Sequence, residues 1–312
     1  MKMVLGIDGG GSKTSAVIAS LDAHGGIHIL GRGRGGPSNV RLAGPKISLA
    51  SLNKALDEAL NQAGVTGEQI SCSILALAGS SSADIHAIIS DWAISRDLRS
   101  EVDIVHDILP VLVSGAKNGW GVALIVGTGS VAMGVDVNGR SITRGGWGHW
   151  FGDKGSGFDL GSNALSAVVE AADEIGPPTM LSELVLKKLG IVQPRDIIKE
   201  IISHGDVQHD VAALAPVVLE AASLGDKVAS EIVEDAVTET VKLVSAVIKN
   251  LAYTDPYPLA LAGGVACHSQ LFRQQLVARL EQVQPPPASV TVVEEPVMGC
   301  LEIARDRLSE LD

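Results

Sequence analysis

Several protein classes are excluded by what this sequence has little of. Aromatic residues make up 3% of the 312 residues, and 24 basic side chains stand against 36 acidic ones, for a formal net charge of −12. No basic run interleaved with aromatics occurs, so we expect no nucleic-acid partner. No apolar run approaches the roughly 18 residues of a membrane helix, and no basic lead with a cleavage site precedes the first apolar run. The sequence therefore predicts a cytoplasmic protein without a membrane partner.

Cysteine is also scarce. Cys72, Cys267 and Cys300 stand far apart, and no CxxC pair occurs. This spacing is typical of reduced, apolar core residues and argues against a disulfide framework, a zinc site or an iron–sulfur site. Hydrophobic residues make up 46% of the chain and charged residues 19%, so a sizeable core is expected, and the length allows two domains.

The N-terminal region has a strand–turn–strand pattern. An apolar run, Met3–Asp8, ends on a carboxylate, and a second apolar run, Ala16–Ser20, follows closely. The turn consists of Gly9, Gly10, Gly11, Ser12, Lys13 and Thr14. Neither familiar glycine-rich phosphate motif fits, because both require a helix after the glycines and the spacing differs. The turn amides could cradle phosphates and Asp8 could hold Mg²⁺ through water, or the segment is a plain tight hairpin.

A second unit of the same kind follows about 120 residues later, which suggests two similar half-molecules facing each other. Its apolar runs are Val122–Val126 and Val131–Val135. Its turn consists of Gly127, Thr128, Gly129 and Ser130. Two such hairpins on facing domains would clasp a polyphosphate from both sides.

Two further strand ends carry candidate ligand-binding residues. The apolar run Val102–Val105 leads into His106 and Asp107, and ligands bind beyond the carboxyl ends of strands in α/β sheets. Asp107 is therefore a candidate general base, or alternatively a helix N-cap. The run Leu259–Leu261 is followed by Gly263 and Gly264, which would let a flat ring such as adenine approach the backbone.

The connection between the first hairpin and the next strand divides into two parts. The segment Gly31–Gly44 is rich in glycine and is predicted to be a loop that contains Asn39. The segment Ile47–Ala63 has apolar residues at helical spacing, with Gly64 as a stop signal, and is predicted to be an amphipathic helix.

The stretch Gly145–Gly157 has the most unusual composition of the chain. Its 13 residues include six glycines, two tryptophans, a histidine and Asp153. Glycine admits a ligand close to the backbone, and tryptophan supplies a flat apolar wall. The composition favours a ligand-binding loop in which Asp153 is a fixed charge; the alternative is a tight structural loop pinned by buried indoles.

The order of these parts resembles the actin, heat-shock-chaperone and sugar-kinase superfamily. Within it, the chain is most similar to the N-acetylglucosamine kinase branch, which is grouped with the BadF/BadG-type ATPases. The motifs that carry the resemblance are Gly6–Thr14, Val126–Ser130, Leu261–Val265 and Gly146–Ser156. The resemblance covers the whole chain.

This resemblance implies an α/β fold of two ribonuclease-H-like, actin-like ATPase domains that face each other across a nucleotide and sugar cleft. The expected N-terminal domain is residues 1–115, and the expected C-terminal domain is residues 116–297. A closing helix at about 298–312 is expected to pack back on the first domain. The resemblance also favours a homodimer.

The implied activity is transfer of the γ-phosphoryl group of ATP to the 6-hydroxyl of an amino sugar, with N-acetylglucosamine as the expected acceptor. By the same resemblance, Asp107 is the catalytic base and Asp8 is the Mg²⁺ carboxylate. The expected sugar contacts are Asn39, Asp107, Trp147, Gly148, His149 and Asp153. The expected ATP contacts are Gly9, Gly10, Gly11, Ser12, Lys13, Thr14, Gly127, Thr128, Gly129, Ser130, Gly263 and Gly264.

Three positions depart from the family pattern: Ser12 replaces a threonine, His106 an asparagine, and Lys154 an acid. The first keeps the hydroxyl, the second could change how Asp107 is oriented, and the third leaves the acceptor open. Glucosamine and N-acetylmuramic acid are the alternative acceptors. Two other functions are weighed: an ATPase that activates a dehydratase or reductase, and a non-catalytic sugar sensor. Retention of a general base argues against the sensor.

Overall fold

Two five-stranded sheets with the same strand order organise the chain. The structure is a computed structural model that describes residues 2–80, 82–98, 100–203 and 205–310. The chain divides into two compact units. Unit 1 runs from the N-terminus to Lys117 and resumes at Glu295, and unit 2 is Asn118–Glu294.

Each unit begins with three consecutive strands and continues with helices and two further strands. As far as residue 117 the elements are β1 (Lys2–Gly9), β2 (Thr14–Leu21), β3 (Ile27–Gly35), α1 (Val40–Ala63), β4 (Cys72–Leu77), α2 (Ala83–Ser95), β5 (Glu101–Val105) and α3 (Leu109–Gly115). Unit 2 contains β6 (Gly121–Val126), β7 (Ser130–Val135), β8 (Ser141–Gly145), α4 (Gly157–Ala172), α5 (Leu181–Leu189), α6 (Ile197–Ser203), α7 (Val207–Ala212), α8 (Ala215–Ser223), α9 (Lys227–Leu251), β9 (Tyr257–Ala262), α10 (Gly264–His268), α11 (Gln270–Leu280) and β10 (Pro287–Val292). The last helix, α12 (Val297–Glu310), belongs to unit 1.

The two sheets repeat one topology. The first has the order β3-β2-β1-β4-β5, and the second, read from the other edge, has the order β8-β7-β6-β9-β10. In each, an antiparallel three-stranded meander is followed by two parallel strands. The equivalent strands β4 and β9 even share the sequence Leu-Ala-Leu-Ala-Gly, which ends at Gly79 and Gly263. The predicted α/β class and the internal repeat are confirmed.

Both faces of the unit 1 sheet are covered by helices. Apolar residues of β1 and β4 pack against α1 and α2 on one face, with Leu52, Leu56 and Trp92 at the centre of that core. On the other face α12 packs through Cys300 and Leu301. The doubly covered sheet explains why β4 is buried at every position, as expected for a central parallel strand.

The prediction of a loop over residues 31–44 is wrong at both ends. Residues 31–35 form the end of β3, and α1 begins at Val40, with Gly44 breaking its helical geometry at φ 76°. Gly31, Gly33 and Gly35 lie against the backbone of α1, where an added Cβ would collide with carbonyl oxygens of the helix. These glycines therefore allow the helix to lie close to an edge strand.

Unit 2 has one large core. Its parallel strands β6 and β9 pack against helices α4, α8, α9 and α11, and Tyr257 and Phe272 are among the largest side chains that are fully buried there. The long helix α9 contacts all three strands of the meander. This packing fixes the carboxyl ends of β6 and β9, where two of the predicted ligand-binding turns lie.

The boundaries of the two units, 117/118 and 294/295, lie within three residues of the boundaries expected from the sequence. Assignment of these units as functional domains stays a prediction. Across the described residues, no helix combines the length and apolar character that crossing a membrane requires.

Candidate active site

Two carboxylates lie at the carboxyl edge of the unit 1 sheet. Asp8, near the end of β1, is in register with Ala76 of β4, which is in turn in register with Val105 at the end of β5. Asp107 follows two residues after Val105. Because β1, β4 and β5 are parallel, their carboxyl ends meet at one edge, and the sheet brings both acids to it.

The proximity of the two acids affects the protonation of Asp8. The pKa of Asp8 is raised from 3.8 to about 7: burial is the largest cause, the charge of Asp107 adds to it, and the charge of Lys13 opposes it. A cation bound beside Asp8 would lower this raised pKa, because positive charge favours the ionised form of a carboxyl group. The edge is thus suited to a cation beside Asp8.

Asp107 is held by its neighbour in sequence. The Nδ1 atom of His106 lies 2.7 Å from Oδ1 of Asp107. The alternative interpretation of Asp107 as a helix N-cap is wrong, because the N-cap residue of α3 is Ile108. Asp107 therefore keeps carboxylate capacity for a ligand.

The first glycine-rich turn is a closed hairpin loop. The amide of Gly10 donates to the carbonyl of Lys13 at 3.0 Å, and an added Cβ on Gly10 would meet nothing within 4 Å. The Thr14 hydroxyl, in contrast, is buried and hydrogen-bonded to the carbonyl of Gly36 at 2.7 Å and to Ser38 Oγ at 2.8 Å. The open part of this hairpin is the Cα side of Gly10, whose amide and carbonyl are hydrogen-bonded within the protein, and the Thr14 side chain holds the loop at residues 36–38.

Asn39 is fixed to this hairpin. Its backbone amide donates to the carbonyl of Gly10 at 3.2 Å. Its side-chain Oδ1 caps α1 by accepting from the backbone amide of Arg41 at 3.1 Å. Gly79, at the end of β4, approaches the Asn39 side chain so closely that a Cβ there would lie 2.6 Å from Oδ1. With the carbonyl oxygen engaged in the cap, the Nδ2 donor is the part of Asn39 suited to a ligand hydroxyl.

The second glycine turn, in unit 2, is clamped by α4. The amides of Gly157 and Phe158 donate to the carbonyls of Gly127 and Thr128 at 2.7 and 3.3 Å. The amide of Gly127 donates to the carbonyl of Gly129 at 2.9 Å. These bonds point the turn carbonyls of residues 127 and 128 toward the protein, which leaves the opposite face of the turn for a ligand.

Asp153 joins the same turn to the central stretch 145–157. Its Oδ1 accepts from the amide of Ser130 at 3.3 Å, and the hydroxyl of Ser130 donates to the carbonyl of Lys154 at 2.8 Å. Asp153 is buried in a left-handed conformation with φ 54°. Burial raises the pKa of its carboxyl, while the Ser130 amide, the charge of His149 and the Gly148 amide oppose the shift.

The aromatic side chains of the central stretch are not buried. Trp147, Trp150 and Phe151 are 78%, 81% and 91% exposed, so the alternative of a loop pinned by buried indoles is wrong. The ring of His149 lies between Trp150 and Phe158, with centroid distances of 4.8 and 4.7 Å. Exposed apolar rings beside a buried carboxylate are typical of a binding surface rather than of a structural plug.

Lys154, which stands where the family pattern has an acid, forms an ion pair with a nearby residue. Its Nζ lies 3.0 Å from Oδ1 of Asp159, whose other oxygen accepts from the amide of Gly155 at 2.9 Å. Asp159 was not among the expected site residues. Its position three residues after Ser156, the N-cap of α4, is a spacing that places an acid over the first helical turn and could have indicated it.

At the end of β9, Gly263 and Gly264 differ in surroundings. Gly263 has φ +91°, and a Cβ there would collide with the carbonyl of Val126. A Cβ added to Gly264 would meet no atom within 4 Å, so the surface at this position is accessible to a flat ligand. Gly263 is therefore required by close packing on β6, and Gly264 is the position that a ring could cover.

Metal binding by protein side chains alone has little support. Within the described residues no group of three or more His, Cys, Asp or Glu side chains could hold a metal ion. Cys72 and Cys300 are buried in the core of unit 1, which does not suit ligands of a cluster shared with a partner. A single carboxylate such as Asp8 does fit Mg²⁺, which commonly binds through one or two carboxylates plus phosphate oxygens and water.

This repeated sheet topology, with glycine-rich turns after β1 and β6 and an acid after β5, defines the actin-like ATPase fold of sugar kinases. The chain belongs to the BadF/BadG/BcrA/BcrD ATPase family, whose model matches residues 5–302. The predicted resemblance is therefore confirmed.

Individual relatives agree with this family. The chain is 31% identical to an N-acetylmuramic acid/N-acetylglucosamine kinase of Clostridium acetobutylicum, over 98% of this chain and 99% of that protein. It is 28% identical to an N-acetyl-D-glucosamine kinase of Dictyostelium discoideum, over 97% and 98%. A solved structure from Chromobacterium violaceum, described as a candidate N-acetylglucosamine kinase, shares the fold with a TM-score of 0.74 at 24% identity, over 97% of this chain and 99% of that one.

Proposed function

We propose that this protein is an ATP-dependent kinase that phosphorylates the 6-hydroxyl of an amino sugar, with N-acetylglucosamine as the principal acceptor. The observation that carries the proposal is the pairing of Asp8 and Asp107 at one sheet edge, beside the open glycine hairpin that follows β1. Phosphoryl transfer needs a base for the acceptor hydroxyl, and phosphate-binding backbone next to a cation site.

Asp107 is the catalytic base in this proposal. His106 occupies its Oδ1, so Oδ2 accepts the proton of the 6-hydroxyl while the hydroxyl oxygen bonds to the γ-phosphorus and the bond to ADP breaks. The acid then releases the proton to solvent. The sugar itself is assigned to Asn39 and Asp107 in unit 1 and to Trp147, Gly148, His149 and Asp153 in unit 2.

ATP is assigned to the two glycine turns and to the end of β9. The phosphates are bound by residues 9–14 and 127–130, and the adenosine by Gly263 and Gly264. Lys13 supplies positive charge close to Asp8. Asp8 would hold Mg²⁺ together with phosphate oxygens, and the bound ion would neutralise charge on the phosphates.

N-acetylmuramic acid is a second candidate acceptor. It is favoured by the relative from Clostridium acetobutylicum, which is named for both sugars. Its carboxylate would need a cation in the sugar site, and Lys154 in the central stretch is engaged by Asp159. A homodimer and a cytoplasmic location remain predictions.

The proposal is tested by ADP release from ATP and Mg²⁺ across single sugars. The set is N-acetylglucosamine, glucosamine, N-acetylmuramic acid, N-acetylmannosamine and glucose. We expect strong stimulation by N-acetylglucosamine. Hydrolysis that is indifferent to every sugar would reject the kinase and favour the activating ATPase or the sensor.

A further inference from the structure

His106 lies between the proposed base and a cavity. The cavity, of about 380 Å³, is lined by Ser80, Ser82, Ala83, His86, Ile104 and His106. On the other side, His106 contacts Asp107 through Nδ1 at 2.7 Å. The His106 side chain is 38% exposed and that of Asp107 is 18% exposed, so the ring is the more accessible member of the pair.

The contact defines which nitrogen carries a hydrogen. A ring nitrogen 2.7 Å from a carboxylate oxygen is stable only as a donor, so Nδ1 carries hydrogen in the neutral and the cationic ring alike. The amide of Ile108 is 3.5 Å from the same nitrogen, which is too long to compete. His106 therefore donates to Oδ1 of Asp107 in both of its protonation states.

Electrostatics agree with this geometry. The hydrogen bond to Asp107 raises the pKa of His106, burial lowers it, and the charge of Asp107 raises it again, with a net increase. The titratable groups around the ring are Asp107 on its own loop, His86 on α2 across the cavity and, through Asp107, Asp8 on β1. The hydrogen bond to Asp107 and the charge of that acid favour a proton on His106.

We propose that His106 is a positioning residue that fixes the Asp107 carboxylate by donating to Oδ1, so that Oδ2 is presented to the acceptor hydroxyl. This inference rests on the proposed function for the role of Asp107. Without the donor, the carboxylate would rotate about its side-chain bonds. Rotation would separate the base from the hydroxyl, and small misplacements of a catalytic group are costly in rate.

Three variants separate positioning from packing. His106→Ala removes the donor and should lower kcat by about 10- to 100-fold while the KM for ATP changes by less than about twofold. His106→Asn keeps an N–H donor of similar reach and should recover kcat to within about fivefold of the wild type. His86→Asn removes the other imidazole of the cavity, and kcat should stay within about twofold, as for a surface change outside the site.

An activity-independent measurement accompanies the kinetics. In the full-length protein, NMR titration of the His106 ring should give a pKa above the ordinary value of about 6.5, and Asp107→Asn should lower it by at least about half a unit. This readout reports the pair whether or not the protein phosphorylates a sugar.

The outcomes distinguish the two claims. If the wild type shows no sugar-dependent turnover but His106 titrates as expected, the proposed function and the role of His106 in catalysis are rejected. The hydrogen-bonded pair of His106 and Asp107 is still supported in that case. Wild-type turnover with unchanged kcat in His106→Ala overturns the positioning role. A His106 pKa that ignores Asp107→Asn overturns the pair itself. Equal losses in folded His106→Ala and His106→Asn would reject the hydrogen bond as the cause.

Discussion

The carboxylate of Asp153 accepts a hydrogen bond from the amide of Ser130 at 3.3 Å and thereby links the turn after β6 to the exposed aromatic stretch. Gly129 makes this contact possible, since a Cβ at that position would lie 2.7 Å from Oδ2 of Asp153. Because Asp153 holds both segments, a ligand that displaces the turn at residues 127–130 would also displace the stretch 145–157.

Substitution of Asp153 tests this link. Asp153→Ala strands the buried amide of Ser130 and puts alanine at a left-handed φ, so we expect a loss of about 2–4 kcal/mol in the free energy of unfolding. Asp153→Asn can still accept the bond and tolerates the backbone, and should lose less than about 1 kcal/mol. Urea unfolding measures both. Equal stability of the two variants would contradict the link.

Trp147 tests the assignment of the exposed aromatic surface. Trp147→Ala should weaken sugar binding by roughly 3- to 10-fold through loss of an aromatic face, with nucleotide affinity unchanged. Calorimetric titration with each ligand measures this. Phe151→Ala, which removes a more exposed ring from the same stretch, is the matched control and should change neither affinity. A loss of both affinities in Trp147→Ala would mean that the stretch is structural.

Lys154 tests whether the protein recognises a carboxylate on the sugar. The Lys154–Asp159 pair is 67% exposed on the lysine side, so Lys154→Met should cost less than about 1 kcal/mol of stability. Because Asp159 already engages this lysine, the ratio of kcat/KM for N-acetylmuramic acid to that for N-acetylglucosamine should change by less than about threefold. Lys242→Met, at another exposed ion pair, is the control. A tenfold loss of kcat/KM confined to N-acetylmuramic acid would contradict this expectation and show that Lys154 recognises the carboxylate of the sugar.

The raised pKa of Asp8 predicts that the folded protein becomes less stable as pH rises. Its pKa is raised from 3.8 to about 7 in the folded protein, so the unfolded chain ionises first and stability falls as pH rises across that range. The contribution of one such group is at most about 1.4 kcal/mol per pH unit. The raised pKa of His106 acts in the same direction at higher pH, where its stabilising proton is lost.

The Asp8 contribution is isolated by comparison. In buffer with a chelator, Asp8→Asn should flatten the decline in unfolding free energy between pH 4 and pH 8 by about one to several kcal/mol. Asp91→Asn, an exposed carboxylate of the same unit, should leave the decline unchanged. An undiminished decline in Asp8→Asn would show that the carboxyl of Asp8 titrates normally.

The sequence predicted those parts of the fold whose signals are local. Both hairpins could be recognised because apolar runs flank short glycine turns, and Asp107 because it follows a strand. The end of β3 was missed because glycines at 31, 33 and 35 suggest a loop. Their alternation with Arg32 and Arg34 has the period of a strand, and it places the glycines against α1.

Other features depend on tertiary packing and leave no local signal. The composition of the central stretch favoured a ligand-binding loop, but it left buried indoles open as an alternative, because the exposure of Trp147 and Trp150 depends on tertiary packing. The engagement of the Thr14 hydroxyl by Ser38 depends on a loop 24 residues away. The ion pair of Lys154 depends on how α4 begins. For these residues the chemistry was predictable and the partners were not.

The most direct test of the central claim compares N-acetylglucosamine-dependent ADP release by the wild type, Asp107→Asn and Asp103→Asn. Asp103 is the matched control, since it lies on β5, the strand that leads to Asp107, and pairs with Arg307 at 3.0 Å. We expect Asp107→Asn to lower turnover by roughly 100-fold or more with sugar and ATP affinities largely intact, and Asp103→Asn to remain near the wild type. Near-normal turnover in Asp107→Asn would contradict the assignment of the catalytic base and, with it, the account of this site.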